Sequence, residues 1–136
     1  MPIDNSIGQG DPLSMILYII YNTDLIEIVE GNDEESIRYV DDAMAIAIGN
    51  NFHKTTTKIE NIMSREGGAF DWSRAHNSNF EISKLAIMHA SRKHCRNPRT
   101  KRYERYLRLR LTLRGTDIIE VKSYKYLGIH IDYKLD

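Results

Sequence analysis

Ile37-Arg38-Tyr39-Val40-Asp41-Asp42-Ala43-Met44-Ala45-Ile46-Ala47-Ile48 sets two adjacent carboxylates between two apolar, β-prone stretches. Ile37 to Val40 leads in as a strand, and Ala43 to Ile48 leads out with large and small side chains alternating at period 2. The pattern predicts a hairpin over 37–48 with Asp41 and Asp42 at its tip. Two-residue turns favour Gly or Asn because they need positive φ, so an Asp-Asp tip implies local backbone strain, which gathers at functional sites. Neighbouring like charges repel, and a divalent cation would remove the repulsion. Oxygen-only ligands on a rigid tip suit hard ions such as Mg²⁺ or Mn²⁺, completed by water and substrate phosphates. The plainer alternative for an isolated Asp-Asp pair is a solvated polar turn.

Upstream lies Gly8-Gln9-Gly10-Asp11-Pro12. Two glycines let the backbone approach a ligand, Asp11 suits a helix N-cap, and Pro12 suits the first helical position. A loop and helix are expected over 8–30, with apolar residues from Leu13 to Val29 covering most of the helix surface. Asn22, Asp24 and Glu27 interrupt that surface too often for a membrane span. Free N–H groups at such a helix start can receive phosphate, although glycine loops before helices are also ordinary turns. Neither the dinucleotide-binding nor the P-loop pattern is present, because the third glycine and the Gly-Lys-Ser/Thr ending are absent.

Four segments in order, Gly8-Gln9-Gly10-Asp11-Pro12-Leu13-Ser14, Tyr39-Val40-Asp41-Asp42, Phe80-Glu81-Ile82-Ser83-Lys84 and Tyr126-Leu127-Gly128-Ile129, resemble the reverse transcriptases of non-LTR retrotransposons. These are RNA-directed DNA polymerases with a right-hand fold. The resemblance covers nearly the whole chain and corresponds to the latter part of the family's fingers-palm region. It implies an α+β fold: a partial polymerase palm, with helices on one face of an antiparallel sheet. Asp41 would be the metal-ligating acid and Asp42 a weaker or more distant support. Gly8, Gln9, Gly10 and Tyr39 would border the template base and incoming nucleotide. Lys84 would approach the triphosphate and neutralise departing pyrophosphate, while Tyr126, Leu127 and Gly128 would grip the primer near its 3′ end. The implied partners are an RNA template, a DNA primer and deoxynucleoside triphosphates, with Mg²⁺ or Mn²⁺ as cofactor.

The family's first catalytic aspartate sits on a strand ahead of the glycine loop, and only Met1 to Ile7 precede that loop here. Asp4 has too few residues before it to build the strand. Removing one member of a catalytic group that acts as a unit loses most of the rate. These 136 residues alone are therefore expected to be inactive, with the N-terminal half of a polymerase as a further partner. An unpaired sheet edge beside the hairpin and uncovered apolar helix surface are expected for the same reason, and with them aggregation or marginal stability.

The formal net charge of zero hides a strong asymmetry. Arg92, Lys93, Arg96, Arg99, Lys101, Arg102, Arg105, Arg108, Arg110 and Arg114 crowd one segment, with Glu104 as its only acid. Tyr103 and Tyr106 interleave with them, so cations for phosphates stand beside planar groups for bases. Arg99, Arg102, Tyr103 and Arg105 are the candidate nucleic-acid contacts, a solvated basic loop being the alternative.

The remaining segments read as a helix over 51–74 capped by Asn51 and interrupted at Gly67-Gly68, a strand over 80–90, a basic loop over 92–106, and strands over 107–132 with a turn at Gly115-Thr116-Asp117. Phe52, Ile59, Ile62 and Met63 form the helix's buried stripe, and Phe70 and Trp72 read as core. Hydrophobic residues at 41% suffice for one domain. Cys95 is single, which excludes an internal disulfide, and His89, His94 and Cys95 fall short of a four-ligand zinc site. Without a signal peptide or membrane span, an intracellular location in nucleus or cytoplasm is expected. Three functions remain open: part of a retrotransposon polymerase, a non-catalytic nucleic-acid binder, and a structural domain with a polar hairpin tip.

Overall fold

The computed structural model describes residues 11–39, 42–91, 95, 96, 99, 101, 103, 104 and 108–135. Within them the chain is mixed helix and strand. Helix α1 spans Pro12–Tyr21, and its N-cap is Asp11, whose Oδ1 accepts the Leu13 N–H at 3.0 Å. The expected continuation to residue 30 does not form. Asn22 closes the helix by donating its side-chain amide to the Tyr18 carbonyl at 2.8 Å, and Thr23 donates its hydroxyl to the Ile19 carbonyl at 3.0 Å. A 3₁₀ turn, Thr23–Ile26, follows and buries Leu25.

Strands β1 (Glu34–Tyr39) and β2 (Asp42–Ala47) form the hairpin, antiparallel, with Tyr39 opposite Asp42. Asp42 is thus the first residue of β2. This corrects the expected Asp-Asp tip: the connection is made by positions 40 and 41, which lie outside the described residues. Alternation along β1 is clear, with Glu34, Ser36 and Arg38 half-buried while Glu35, Ile37 and Tyr39 are exposed. Because directly opposed residues share a face, Asp42 stands on the solvent side with Tyr39, and Ala45 on the core side with Ser36. The hairpin base is fastened by Lys58, whose ammonium meets Asp33 Oδ2 at 2.8 Å and the Ile48 carbonyl at 3.0 Å.

Helix α2 (Phe52–Ser64) begins at Asn51, whose Oδ1 accepts the Lys54 N–H at 2.9 Å. The break expected at Gly67-Gly68 is present, and α3 (Ala69–Ala75) restarts from Gly68. A Cβ on Gly68 would stand 2.6 Å from the Ile62 carbonyl oxygen, so only glycine lets the two helices fold back this closely. Ile62 is fully buried in one core cluster with Leu25, Ile28, Ala69 and Trp72. A second cluster joins Phe70, Ile87, Leu111, Leu113 and Ile118, and Ile59, Met63 and Phe80 pack against both. At roughly 1.5–3 kcal/mol per fully buried apolar side chain, these clusters are the main source of stability.

The strand expected over 80–90 shrinks to β3 (Ala86–Ile87). Local bonds win ahead of it: the Glu81 carbonyl accepts the Lys84 N–H at 2.9 Å, curling Ile82–Lys84 into a 3₁₀ turn. Short strands follow: β4 (Cys95–Arg96), β5 (Tyr103–Glu104), β6 (Thr112–Leu113), β7 (Thr116–Asp117), β8 (Ile119–Glu120), β9 (Ser123–Tyr126) and β10 (Ile129–Asp132). The antiparallel pairing of β4 with β5 gives the expected basic loop a hairpin backbone. Among the described residues one continuous antiparallel sheet is not formed. Among the described residues there are five two-stranded sheets, and β3 with β8 is parallel. The turn expected at 115–117 falls instead on Arg114-Gly115, both at positive φ, with Leu113 opposite Thr116.

Helix α1 contributes no buried residue. Leu13, Met15, Ile16, Leu17, Ile19, Ile20 and Tyr21 are all more than half exposed. Among the described residues β1 and β2 pair only with each other, leaving both outer edges open. No helix here is long and apolar enough to cross a membrane among the described residues.

Candidate functional site

The hairpin delivers Asp42 to its turn end. The Asp42 residue is exposed, opposite Tyr39, and no ion pair engages it among the described residues. An unpaired carboxylate offers hard oxygen donors of the kind Mg²⁺ and Mn²⁺ prefer. Asp41, the other expected ligand, lies outside the described residues, as do Gly8, Gln9 and Gly10. Among the described residues no group of three or more His, Cys, Asp or Glu side chains could hold a metal. Tyr39 is 58% exposed and lines a cleft of about 170 Å³ with Met15, Ile19, Asn22, Thr23, Ile26 and Arg38. The cleft thus joins α1 to the strand that leads into the acidic pair.

Lys84 ends the 3₁₀ turn and is mostly exposed, its ammonium 2.6 Å from Glu81 Oε2. That ammonium, with the Ser83 hydroxyl, lowers the Glu81 carboxyl below its ordinary value. Among the described residues no ion pair joins Lys84 to Asp42.

Tyr126 and Leu127-Gly128 form the tip of the β9–β10 hairpin, with Tyr126 opposite Ile129. Leu127 and Gly128 have φ of 50° and 85°, the positive pair of a type I′ turn, in which glycine accepts the second position without a Cβ penalty. Tyr126, the first of the expected primer contacts, is only 8% exposed, and its buried hydroxyl has no hydrogen-bond partner among the described residues. Leu127 and Gly128 are the exposed members of the motif. Burial raises the Tyr126 phenol above its ordinary value, and the charge of Asp42 adds to that rise.

Of the candidate nucleic-acid contacts, Arg99 is exposed, Tyr103 is described through its β5 backbone, and Arg102 and Arg105 lie outside the described residues. Further along, the basic run is committed internally. Arg108 pairs with Glu120 and stands 5.6 Å from the Tyr133 ring centre, Arg110 is 3.6 Å from Asp117, and Arg114 lies 3.9 Å from the Phe70 ring centre. His89 is buried, its Nε2 3.2 Å from the Leu109 carbonyl oxygen, and burial lowers its pKa.

Two polar groupings escaped the sequence reading. Glu34, opposite Ala47 at the hairpin base, meets Arg65 at 2.9 Å, and Arg65 also donates to the Ile28 carbonyl. Arg38 donates to the Asn22 carbonyl between the rings of Tyr18 and Trp72. The available signal was period 2 itself, which puts both charged residues on the core side of β1. No family model, curated protein or solved structure matches this chain.

Proposed function

We propose that these residues are part of the palm of an RNA-directed DNA polymerase of the non-LTR retrotransposon type. The reaction is attack of a primer 3′-hydroxyl on the α-phosphorus of a deoxynucleoside triphosphate, forming the new ester bond as pyrophosphate leaves. Such in-line transfer needs positioning and charge stabilisation more than covalent help from the protein. Asp41 and Asp42 would hold the divalent ions, Mg²⁺ or Mn²⁺, which would supply positive charge for phosphoryl transfer. Tyr39 borders the nucleotide from its cleft, Leu127 and Gly128 touch the primer backbone, and Lys84 exchanges Glu81 for the triphosphate. A third carboxylate is needed as well, which the resemblance assigns to a strand ahead of the glycine turn.

The observation that carries this reading is the pairing of Tyr39 with Asp42. It sets a carboxylate, without an ion pair among the described residues, at the turn end of a short hairpin. A purely nucleic-acid-binding role is weakened by the internal partners of Arg108, Arg110 and Arg114. The test is binding of a Mn²⁺–deoxynucleotide complex to the wild-type chain and to Asp41→Asn. Loss in the variant supports the reading, and equal binding or none in either removes it.

A further inference from the structure

Helix α1 is joined to the rest of the fold almost without hydrophobic packing, since none of its residues is buried. Polar and ring contacts hold it instead. Arg38 stands at their centre, on the core side of β1 and next to Tyr39. Its guanidinium carbon is 5.9 Å from the Tyr18 ring centre, on α1, and 6.0 Å from the Trp72 ring centre, on α3. One of its amines donates to the carbonyl of Asn22, the residue that closes α1. Trp72 in turn stacks on His76 at 4.5 Å and 16°, and Tyr21 donates its hydroxyl to the His76 carbonyl. One cation therefore sits where helix, hairpin and α3 meet.

We propose that Arg38 is a positioning residue that fixes α1, and so the helix start at Asp11-Pro12, against the hairpin carrying Asp42. Its bearing on nucleotide binding rests on the polymerase reading above, while the coupling itself does not. The site calls for arginine because a planar guanidinium presents flat faces to aromatic rings and still directs N–H groups in its plane to a carbonyl. A lysine ammonium is a single point charge and cannot meet all three demands together. Placing the charge beside Tyr39 ties the helix and the acidic pair through one side chain.

The test is amide hydrogen exchange, followed by mass spectrometry on the full chain, in the wild type, Arg38→Met and Arg38→Lys. Exchange over 13–22 is expected to accelerate about tenfold or more in both variants, as in local opening, while β1, β2 and α2 stay within about twofold. The emission of Trp72, the single tryptophan, should shift in parallel. Unchanged exchange over 13–22, an α1 already unprotected in the wild type, or equal acceleration everywhere would each overturn the coupling. A second arm measures Mn²⁺-dependent deoxynucleotide binding, expected to weaken about tenfold in Arg38→Met with Mn²⁺ affinity unchanged. No nucleotide binding by the wild type removes the polymerase reading and the positioning role within it, whereas exchange judges the coupling separately.

Discussion

Tyr126, on the C-terminal hairpin, is held above the ordinary phenol value by burial first and then by the charge of Asp42 on the acidic hairpin. The sign is that of a negative group disfavouring a second negative charge nearby. In Asp42→Asn the phenol is expected to titrate at lower pH than in the wild type, yet still above an exposed tyrosine because burial persists. Ultraviolet difference absorbance across the alkaline range reads this directly. Identical titration in the two proteins would mean that the charge of Asp42 does not reach the phenol.

The same tyrosine carries a stability prediction. A buried hydroxyl without a partner costs about 1–3 kcal/mol relative to leaving it in water. Tyr126→Phe removes that hydroxyl and keeps the ring, so a gain of about 1 kcal/mol is expected in urea unfolding. A loss of similar size would show that the hydroxyl has a partner in solution.

Arg65 and Glu34 make the fold acid-sensitive. Burial raises the Glu34 carboxyl, but the Glu30 N–H at 2.9 Å and the Arg65 guanidinium outweigh it, and the net pKa is lowered. A depressed folded value means stability that is fully present above the ordinary value near 4.5 and lost as pH falls through the folded one. Unfolding followed from neutral pH downwards should show this loss below about pH 4.5 in the wild type and a smaller one in Glu34→Gln. Arg65→Met, which strands the carboxylate, is expected to cost about 3 kcal/mol at neutral pH.

Gly68 predicts a steric penalty. Its φ of −75° suits any residue, so conformational freedom is not the issue. A Cβ there would meet two backbone oxygens, of Ile62 at 2.6 Å and of Arg65 at 2.9 Å, neither of which can swing away. Gly68→Ala should destabilise by about 1–3 kcal/mol in thermal or denaturant unfolding. A neutral result would show that the break between α2 and α3 is looser than described.

The candidate nucleic-acid contacts carry a salt-dependence prediction. Replacing Arg99, Arg102 and Arg105 with alanine should weaken single-stranded nucleic-acid binding and flatten its salt dependence by about 2 in log–log slope, at roughly 0.7 per contact. Arg110→Ala, which removes a cation already beside Asp117, should leave the slope nearly unchanged. Fluorescence anisotropy across a salt series distinguishes the two. Equal effects would return the segment to a generic basic surface.

Local chemistry was legible in the sequence where it is decided locally. Asp11 and Asn51 cap their helices because an N-cap needs only its own side chain and the next turn's N–H groups. The hairpin and the Gly67-Gly68 break were readable for the same reason. Asn22 carried the stop signal for α1, but the apolar run to Val29 masked it. Around Phe80 the apolar residues suggested a strand, while Glu81 and Lys84 closed a 3₁₀ turn through short-range bonds. The partners of Arg38 and the burial of Tyr126 were invisible because their surroundings come from distant elements. Hairpin register shifted the acidic pair by one position: pairing with Tyr39 draws Asp42 into β2.

The central claim is that the acidic hairpin holds a divalent ion against a nucleoside triphosphate. Its most direct test is electron paramagnetic resonance titration of Mn²⁺ into the chain with a deoxynucleoside triphosphate present, in the wild type, Asp41→Asn and Asp42→Asn. The account predicts protein-bound Mn²⁺ in the wild type, weaker binding in Asp42→Asn and none in Asp41→Asn. Bound Mn²⁺ that is indifferent to both substitutions would contradict it.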